Sequence, residues 1–378
     1  MKVILRNIFV ILLLLTFINN VKAVASEENH SKKEEFNLVS FALHHVADSY
    51  SWTFYTKKDG TDASIPLPRI LWNKSLNKFN LFLSTEKAID NGYIEEHHLN
   101  HEAVHGKLLI PDSEEEYLKV LNKLKSETDK EEIKKLNAEL TQLKPVDISI
   151  TKNVLFMLFA AILLLWIFIS IAKKYKNNPD SPPKGIQSVF EPIIIYVRDE
   201  IAKEFIPTHY KRFLPLLLSF FFFIWFLNMM GIIPFSANVT GNIAVTATLA
   251  LIAMVTININ GKRSYWQHIF WFPNIPVFVK PIMLVVEFIS ILTKPFALTI
   301  RLFANIIAGH LVILSFISLI FIFGKLGSVP AVGWATSVIA VAFSLFIDMI
   351  EILIALLQAY IFTTLSALFI GQAVETEH

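Results

Sequence analysis

The sequence predicts an all-α polytopic membrane protein with about five membrane helices, the last two long and tilted, and an N-terminal exported soluble region of mixed α/β character. Three observations support this fold class. The chain is 54% hydrophobic, and its apolar stretches are concentrated after residue 150. A long polar stretch occupies much of the preceding sequence. The last two apolar stretches are about twice as long as one perpendicular span requires.

Composition excludes several kinds of chemistry. A net charge of only +2 does not favour nucleic acid as a partner. Because the chain has no cysteine, it cannot form disulfides, thiolate metal sites or a cysteine nucleophile. It also contains no GxxxxGK[ST] phosphate-binding loop, so any nucleotide chemistry must belong to partner subunits. We therefore predict no cofactor and no catalytic chemistry in this chain.

The first 25 residues resemble a secretory signal peptide. Lys2 and Arg6 form a basic start, an apolar stretch runs from Ile8 to Ile18, and small residues follow at Ala23 and Ala25. The alternative is an uncleaved anchor, although the apolar stretch is short for a membrane span. In both cases the segment that follows is exported.

Residues 26–145 form the predicted exported region, and its composition changes along its length. Aromatic and β-prone runs such as SWTFY and KFNLFLS, separated by Gly and Pro, predict a small β-rich unit over residues 36–110. Over residues 112–144, leucine and isoleucine recur at helical spacing among many Lys and Glu residues, which predicts a charged helical hairpin.

Three histidines in the exported region have the spacing of one helical face. His97, His101 and His105 are separated by four residues each, which permits zinc or copper binding. With no cysteine and no identified carboxylate ligand, a polar or partner-facing histidine surface is the preferred interpretation. They are weak metal candidates, and we predict no metal site.

Residues 146–378 form the predicted membrane domain. Its apolar stretches cover roughly residues 153–172, 213–234, 242–260, 282–323 and 330–371. A helix of about 42 residues would be roughly 63 Å long, so each of the last two must be tilted, bent or broken. Pro295 and Gly309 offer bending points in the fourth stretch. Between the first two spans, residues 186–205 have the pattern of an interfacial amphipathic helix.

Basic residues in the loops predict the orientation of these spans. Eight Lys or Arg residues lie between the first and second spans, and Lys262, Arg263 and Lys280 lie in the next loop on the same side. The short loops on the other side carry only Lys325. By the positive-inside rule, the N-terminus is exported to the periplasm and the C-terminus is cytoplasmic.

Arg301 is the most unusual residue of the membrane domain. A helix-centre arginine costs roughly 2.5 to 3.5 kcal/mol on insertion scales, and long apolar flanks argue against snorkelling. If the last two helices form an antiparallel hairpin, residue numbers at equal depth should add to about 659. This register places Arg301 opposite Gln358, and His310 opposite a position flanked by Asp348 and Glu351.

The polar residues of the fourth stretch lie on two different faces of the predicted helix. Glu287, Lys294 and Arg301 are spaced by seven residues and so form one stripe, to which Asn305 adds one turn later. His310 lies about 13 Å beyond Arg301 and on roughly the opposite face. Two offset polar inlets suit proton transfer, since histidine and carboxylates exchange protons whereas arginine does not. The alternative is that these residues only pair to stabilise helix packing.

The run RLFANIIAGH and the downstream LLQAYIF resemble subunit a of the F-type ATP synthase, over residues from about 150 to 371. The resemblance implies a stator with two offset half-channels beside a rotating ring of c subunits. Arg301 would face the ring carboxylate, with Gln358 next to it. The implied partners are the c-ring proteolipid subunits, b-type peripheral stalk subunits, the rest of the complex and membrane lipid. The implied location is the bacterial inner membrane.

This chain departs from the usual pattern of the family. Family members often carry an acid at the position of His310 and a histidine at that of Glu351, so the pair is exchanged here. Asp348 is an additional acid, and Asn242, in TGNIAVT, resembles outer-facing polar residues of the family. The sequence leaves two alternative functions open. One is a stand-alone proton-coupled transporter in which Arg301 binds an anionic substrate. The other is a binding or assembly protein whose main functional part is the exported region.

Overall fold

The computed structural model describes residues 48–56, 62–73, 77–96, 106–126, 130–177, 182–233, 236–271, 276, 278–323 and 330–375. These residues divide into two compact units, one from Asp48 to Leu155 and one that contains the described residues after Leu155. The predicted signal peptide, residues 1–25, lies outside the described residues. The three candidate metal-binding histidines, His97, His101 and His105, also lie outside them.

The first unit contains seven short strands, all paired antiparallel. β1 (Ser51–Thr56) pairs with β2 (Asp62–Pro66), and β5 (Ile94–Glu95) pairs with β6 (Leu108–Leu109). A three-stranded sheet has the order β4 (Lys78–Phe82), β3 (Arg69–Asn73), β7 (Val146–Asp147). β7 comes from the far end of the unit, so this sheet joins residues that are distant in sequence.

Helices complete the first unit. They are α1 (Thr85–Asp90), α2 (Glu114–Ser126) and α3 (Lys130–Gln142). α2 and α3 pack against each other around a core of Leu109, Tyr117, Val120, Leu121, Leu136, Leu140 and Leu143. The strands followed by a charged helical hairpin confirm the mixed α/β character that the sequence predicts for this region.

Polar interactions join residues near the beginning of the first unit to residues near its end. The fully buried Arg69 donates to the carboxylate of Asp147 across the sheet, at 3.1 Å. Asp48 accepts hydrogen bonds from the backbone N–H of Ser49 at 3.0 Å and of Asn153 at 3.1 Å. The second bond caps the helix that begins at Lys152, because the first N–H groups of a helix have no intrahelical acceptor.

The part of the chain that the structure describes contains five helices that are long and apolar enough to cross a membrane. They are α4 (Lys152–Asn177), α7 (Tyr210–Ile232), α8 (Ile243–Asn260), α10 (Lys280–Phe323) and α11 (Pro330–Val374). The protein is therefore a multi-pass helical membrane protein, as predicted. α10 and α11 are 44 and 45 residues long, and both remain single helices.

The segment predicted as an interfacial helix forms three consecutive helical pieces. They are α5 (Ile186–Tyr196), a π-helical stretch (Val197–Ala202) and α6 (Lys203–Phe205). The π-helical stretch packs against α7 and α11, and Val197 and Ile201 are fully buried there. This segment is therefore partly a packing element of the membrane unit, and not only a surface helix as the sequence pattern suggests.

The C-terminal end of α11 is held by several backbone contacts. The N–H of Lys262 donates to the carbonyl oxygen of Ala373 at 3.0 Å, just before α9 (Arg263–Phe270) begins. The carboxylate of Glu375 accepts from the backbone N–H of Thr208 at 3.0 Å and of His209 at 3.1 Å. Desolvation raises the pKa of Glu375, but these hydrogen bonds together lower it below the ordinary value. The end of α11 is thus fixed to the start of α7 and of α9.

Candidate functional site

α10 and α11 form the antiparallel hairpin that carries most of the candidate residues. The rings of Phe316 and Phe343 stack with centroids 5.4 Å apart. About two helical turns away from this ring pair, the side chain of Glu351 packs on Gly309. Both contacts agree with the predicted register, in which residue numbers at equal depth on two helices of equal rise add to about 659.

The carboxyl group of Glu351 is seated against the backbone of α10. Glu351 is only 8% exposed, and a Cβ at Gly309 would overlap its carboxylate, with Cδ at 2.7 Å. Its Oε1 atom is buried and has no hydrogen-bond partner among the described residues. A buried carboxyl oxygen without a protein donor is costly unless it is met by a proton or a water molecule.

Two further ionisable residues are close in sequence to the two residues of this contact. His310 directly follows Gly309 and is half-buried, and Asp348 precedes Glu351 by three residues, so it lies on the same side of α11 and is also half-buried. The structure shows the contact of Glu351 with Gly309, and we infer from these positions that the three residues form one polar cluster. We name His310, Asp348 and Glu351 the outer cluster.

Arg301 has a different environment. Its side chain is exposed on α10, and none of the described residues forms a hydrogen bond or an ion pair with it. Asn305 is exposed on the same side, whereas Gln358 on α11 is buried at 4% exposure. No hydrogen bond joins Arg301 to Gln358 in the described part of the chain. The charge of Arg301 is therefore presented outward from this chain and is not neutralised within its described residues.

The surface around Arg301 is open and formed by small side chains. Ala297, Ala304 and Ala308 are exposed within two turns of Arg301 on α10. Within an apolar 18-residue stretch of α10, only 11% of the residues are buried. The corresponding stretch of α7 has 67% of its residues buried. Small residues on a membrane helix allow another helix to approach closely. The arrangement therefore leaves room for a partner directly at the arginine. We name these three alanines, Arg301 and Asn305 the arginine face.

A second polar group lies towards the beginning of α10. Glu287 and Lys294 interact electrostatically, and the Lys294 ammonium lies 4.9 Å from the centroid of the Phe369 ring. Tyr265 on α9 donates to Oδ1 of Asn258 at 3.2 Å. Burial, and then the negative charge of Glu287, raise the pKa of Tyr265 above its ordinary value, so the phenol remains protonated at neutral pH.

A small cavity adjoins this group. Its volume is about 10 Å³, close to the minimum that accommodates one water molecule. Its polar lining is contributed by Asn258, Tyr265 and Lys294, and the remaining lining residues are Ala250, Met254, Ile257, Ile291, Pro295, Leu298 and Phe369. We name Glu287, Lys294, Tyr265 and Asn258 the inner group. Tyr265 and Asn258 were missed by the sequence analysis, because they lie on α9 and α8 and only packing brings them to α10.

The side chain of Asn242 caps a helix. Its side-chain oxygen accepts from the backbone N–H of Ala244 at 2.9 Å, which caps the start of α8. The preceding 3₁₀ turn (Val239–Gly241) packs against α10. Among the described residues, no hydrogen bond links Asn242 to the outer cluster.

Gly309 lies where α10 and α11 touch. The sequence offers it as a bending point, but the chain remains helical through this position. The structure uses the missing side chain as space for Glu351 instead. Similarly, Pro295 lies within α10 without ending it. The register alone pairs position 309 with position 350, so the contact could have been anticipated only to within one residue.

Among the described residues, no group of three or more His, Asp or Glu side chains is placed to hold a metal ion. His97, His101 and His105 lie outside the described ranges, so the structure does not test them.

Known families match both parts of the chain. The ATP synthase A chain family matches residues 154–371, which include α10, α11 and every residue of the outer cluster. A domain of unknown function (DUF8433) matches residues 41–148, the greater part of the first unit. The two matches meet close to the start of α4.

Individual proteins resemble the chain over its membrane part. ATP synthase subunit a of Chloroherpeton thalassium is 44% identical over 237 residues, which cover 61% of this chain and 68% of that protein. ATP synthase subunit a of Chlorobium phaeobacteroides is 42% identical over 233 residues, covering 60% and 66%. ATP synthase subunit a of Myxococcus xanthus is 39% identical over 240 residues, covering 62% and 75%. The family match extends over more than half of the chain, and the chain therefore belongs to the ATP synthase A chain family.

Proposed function

We propose that this chain is the proton-translocating stator subunit in the membrane sector of an F-type ATP synthase. It would provide two offset half-channels to and from the carboxylates of a rotating ring of c subunits. The observation that carries this proposal is the position of Arg301. An arginine without an ionic partner among the described residues lies exposed in an apolar helix, between the outer cluster and the inner group.

The separation of the two polar groups supports offset half-channels. Along α10, Arg301 lies about 13 Å from His310 and about 21 Å from Glu287. Between the groups, α10 directs Leu302 and Ile306 into the packed interior, at 1% and 8% exposure. A packed apolar layer hinders the passage of a proton, because a charge without solvent has a large desolvation cost. Protons would therefore cross only through a partner that moves past the arginine face.

The outer cluster and the inner group each have side chains suited to one step of the proposed proton path. A proton from the outer side would pass through the outer cluster to a ring carboxylate that approaches the arginine face. After rotation of the ring, the proton would leave near Glu287 through the inner group, where the small cavity adjoins Asn258, Tyr265 and Lys294. Arg301 keeps its proton under all protein conditions, so it acts as a fixed positive charge in both steps.

The proposed partners follow from this function. They are the c-ring proteolipid subunits at the arginine face, b-type peripheral stalk subunits, and the rest of the ATP synthase complex. The proposed location is the bacterial inner membrane. Purification in mild detergent tests the assembly, since a stator should co-purify with a ring-forming proteolipid and with nucleotide-binding subunits.

A stand-alone proton-coupled transporter remains the alternative. In that case Arg301 would have to bind an anionic substrate within an enclosed site, as small ligands usually occupy concave pockets. The small cavity beside the inner group is lined by Lys294 and not by Arg301, and Arg301 is exposed on a helix surface. These observations favour a protein partner over a small substrate at the arginine.

Exchange of His310 and Glu351 tests the outer cluster. If these residues transfer protons as a pair, the double variant His310→Glu/Glu351→His should retain more proton flux than His310→Ala or Glu351→Ala. The measurement is ATP-driven acidification of vesicles that contain the purified complex. A double exchange that is as inactive as both alanine variants, without any coupling between the two positions, would contradict a paired relay.

Single cysteines test the proposed topology and domain division. The division is a signal peptide at residues 1–25, an exported region at residues 26–145 and a membrane channel domain at residues 146–378. A cysteine at Thr61 should react with an impermeant reagent in spheroplasts, and one at Thr376 only after permeabilisation. The native chain contains no cysteine, so no background substitution is required. The reverse labelling pattern would refute the orientation.

A further inference from the structure

One face of the sheet β4–β3–β7 consists entirely of apolar side chains. Trp72 is paired with Phe79 on one side and Val146 on the other, and Ile70 is paired with Leu81. The ladder continues beyond β7, where Ile148 and Ile150 donate backbone hydrogen bonds to Ile70 and Pro68. Because side chains alternate along a strand, one face of the sheet carries three rows of apolar residues. The first row is Val146, Trp72 and Phe79, the second is Ile148, Ile70 and Leu81, and the third is Ile150, Pro68 and Leu83. We name these residues the apolar face.

The apolar face is exposed along β4 and at Ile148 and half-buried in between, whereas the opposite face of the same sheet is packed. Phe79 and Leu81 are each 69% exposed, and Leu83 is 65% exposed. On the opposite face, Leu71 and Arg69 are completely buried. A soluble domain rarely leaves one contiguous apolar surface open, and such surfaces usually mark a protein or membrane contact.

We propose that the apolar face lies against lipid, in the boundary between headgroups and acyl chains at the membrane surface where α4 begins. The first argument is continuity with a membrane-spanning helix. Ile150 belongs to the apolar face and precedes the first residue of α4 by only two positions. From the end of β7 to Lys152, five residues can span at most about 17 Å.

The connection between the sheet and α4 is also structured. The N–H of Lys152 donates to the carbonyl oxygen of Ser49 at 2.8 Å, and Asp48 caps the helix through the N–H of Asn153 at 3.1 Å. The sheet and the first turn of α4, up to Leu155, therefore belong to one compact unit.

The second argument is the size and composition of the apolar face. Three strands about 4.8 Å apart, with three rows about 6.8 Å apart, present an area of roughly 300 Å². A stable protein interface requires about 800 Å² from each partner. The area is too small for such an interface but suits insertion of side chains by about 5 to 10 Å into the lipid surface.

Site-directed fluorescence tests this contact in the full-length chain within its purified complex. Leu81→Cys and Ile148→Cys introduce single cysteines in the apolar face, and Glu116→Cys introduces one on the exposed side of α2 as a matched control. Each variant is labelled with bimane and reconstituted in phosphatidylcholine and phosphatidylglycerol vesicles with or without brominated acyl chains. We expect brominated lipid to reduce the fluorescence at Leu81 and Ile148 and not at Glu116.

Soluble iodide provides the second measurement. Labels at Leu81 and Ile148 should be protected from iodide in vesicles, whereas the label at Glu116 should be quenched. Quenching of the Leu81 and Ile148 labels by iodide without quenching by brominated lipid would overturn the proposal, because the face would then be in water. Protection from both quenchers would also overturn it, because the face would then be covered by protein. Since both side chains are largely exposed, neither substitution removes core packing.

Discussion

Replacement of Arg301 by alanine should abolish ATP-driven proton pumping and ATP synthesis, while passive proton leak through the complex persists or increases. A ring carboxylate in a low-dielectric interface favours its neutral form, so a nearby cation is needed to stabilise the ionised form and release the proton. The same cation opposes direct passage of a proton between the half-channels, since like charges repel strongly where water is excluded. The exposed, unneutralised position of Arg301 on α10 is what such a role requires.

Proton flux into vesicles, with and without an imposed potential, measures both effects. Arg301→Lys should restore little activity, because an ammonium lacks the planar fork of the guanidinium and can lose its proton when desolvated. Arg263→Ala is the matched control, since Arg263 is an exposed arginine at the start of α9 and outside the candidate membrane spans. Near-normal ATP synthesis by the Arg301→Ala complex would remove the basis of the proposed function.

Replacement of Gly309 by alanine should strongly reduce proton flux, although the added group is a single methyl. A Cβ at this position would lie 2.7 Å from Cδ and 3.0 Å from Cγ of Glu351. Because the overlap is too close for a real contact, either Glu351 must leave its site or α10 and α11 must move apart. Overpacking of this kind typically costs about 1 to 3 kcal/mol. The outer cluster would lose its arrangement in both cases.

Gly231→Ala is the matched control for this variant. Gly231 also lies in a membrane helix, α7, but the nearest atom to an added Cβ is 3.5 Å away, which is an ordinary contact. We expect that variant to keep normal flux. Adding Glu351→Asp to Gly309→Ala should recover part of the lost flux, because the shorter acid leaves room for the methyl group. Normal flux in Gly309→Ala alone would show that the position of Glu351 is not critical.

The hairpin of α10 and α11 therefore has two sides with different physical roles. The side that joins the two helices buries Glu351 against Gly309 and stacks Phe316 on Phe343. The other side leaves the arginine face open. A proton relay benefits from groups held in fixed positions by packing, whereas a contact with a moving partner requires a surface that this chain does not cover. The separation of these roles explains why the cluster carboxyl is buried and Arg301 is exposed.

Much of this architecture follows from the sequence alone. The length and hydropathy of the apolar stretches predict five membrane helices, because a span must satisfy its backbone hydrogen bonds internally and match the bilayer thickness. The tight turn between the last two stretches predicts the hairpin register, since two helices of equal rise have only one free parameter, the position of the turn. That register predicts that His310 lies close to Asp348 and Glu351, and the observed contact of Glu351 with Gly309 agrees with it to within one residue. The RLFANIIAGH and LLQAYIF runs identify the family.

Other features depend on contacts between residues that are distant in sequence. β7 pairs with β3 across about seventy residues, and this pairing creates the apolar face of the first unit, which no local pattern shows. Tyr265 and Asn258 reach the inner group only because α8 and α9 pack beside α10.

The exposure of Arg301 was also decided by the tertiary structure. Periodicity places a residue on a stripe of its helix but does not state which neighbouring element covers that stripe. The sequence by itself determined which residues of the apolar stretches are polar, and it predicts the depth at which they lie. Packing alone decided which of them are buried together and which are presented to a partner, because burial depends on the three-dimensional arrangement of all helices and not on the order of residues in one.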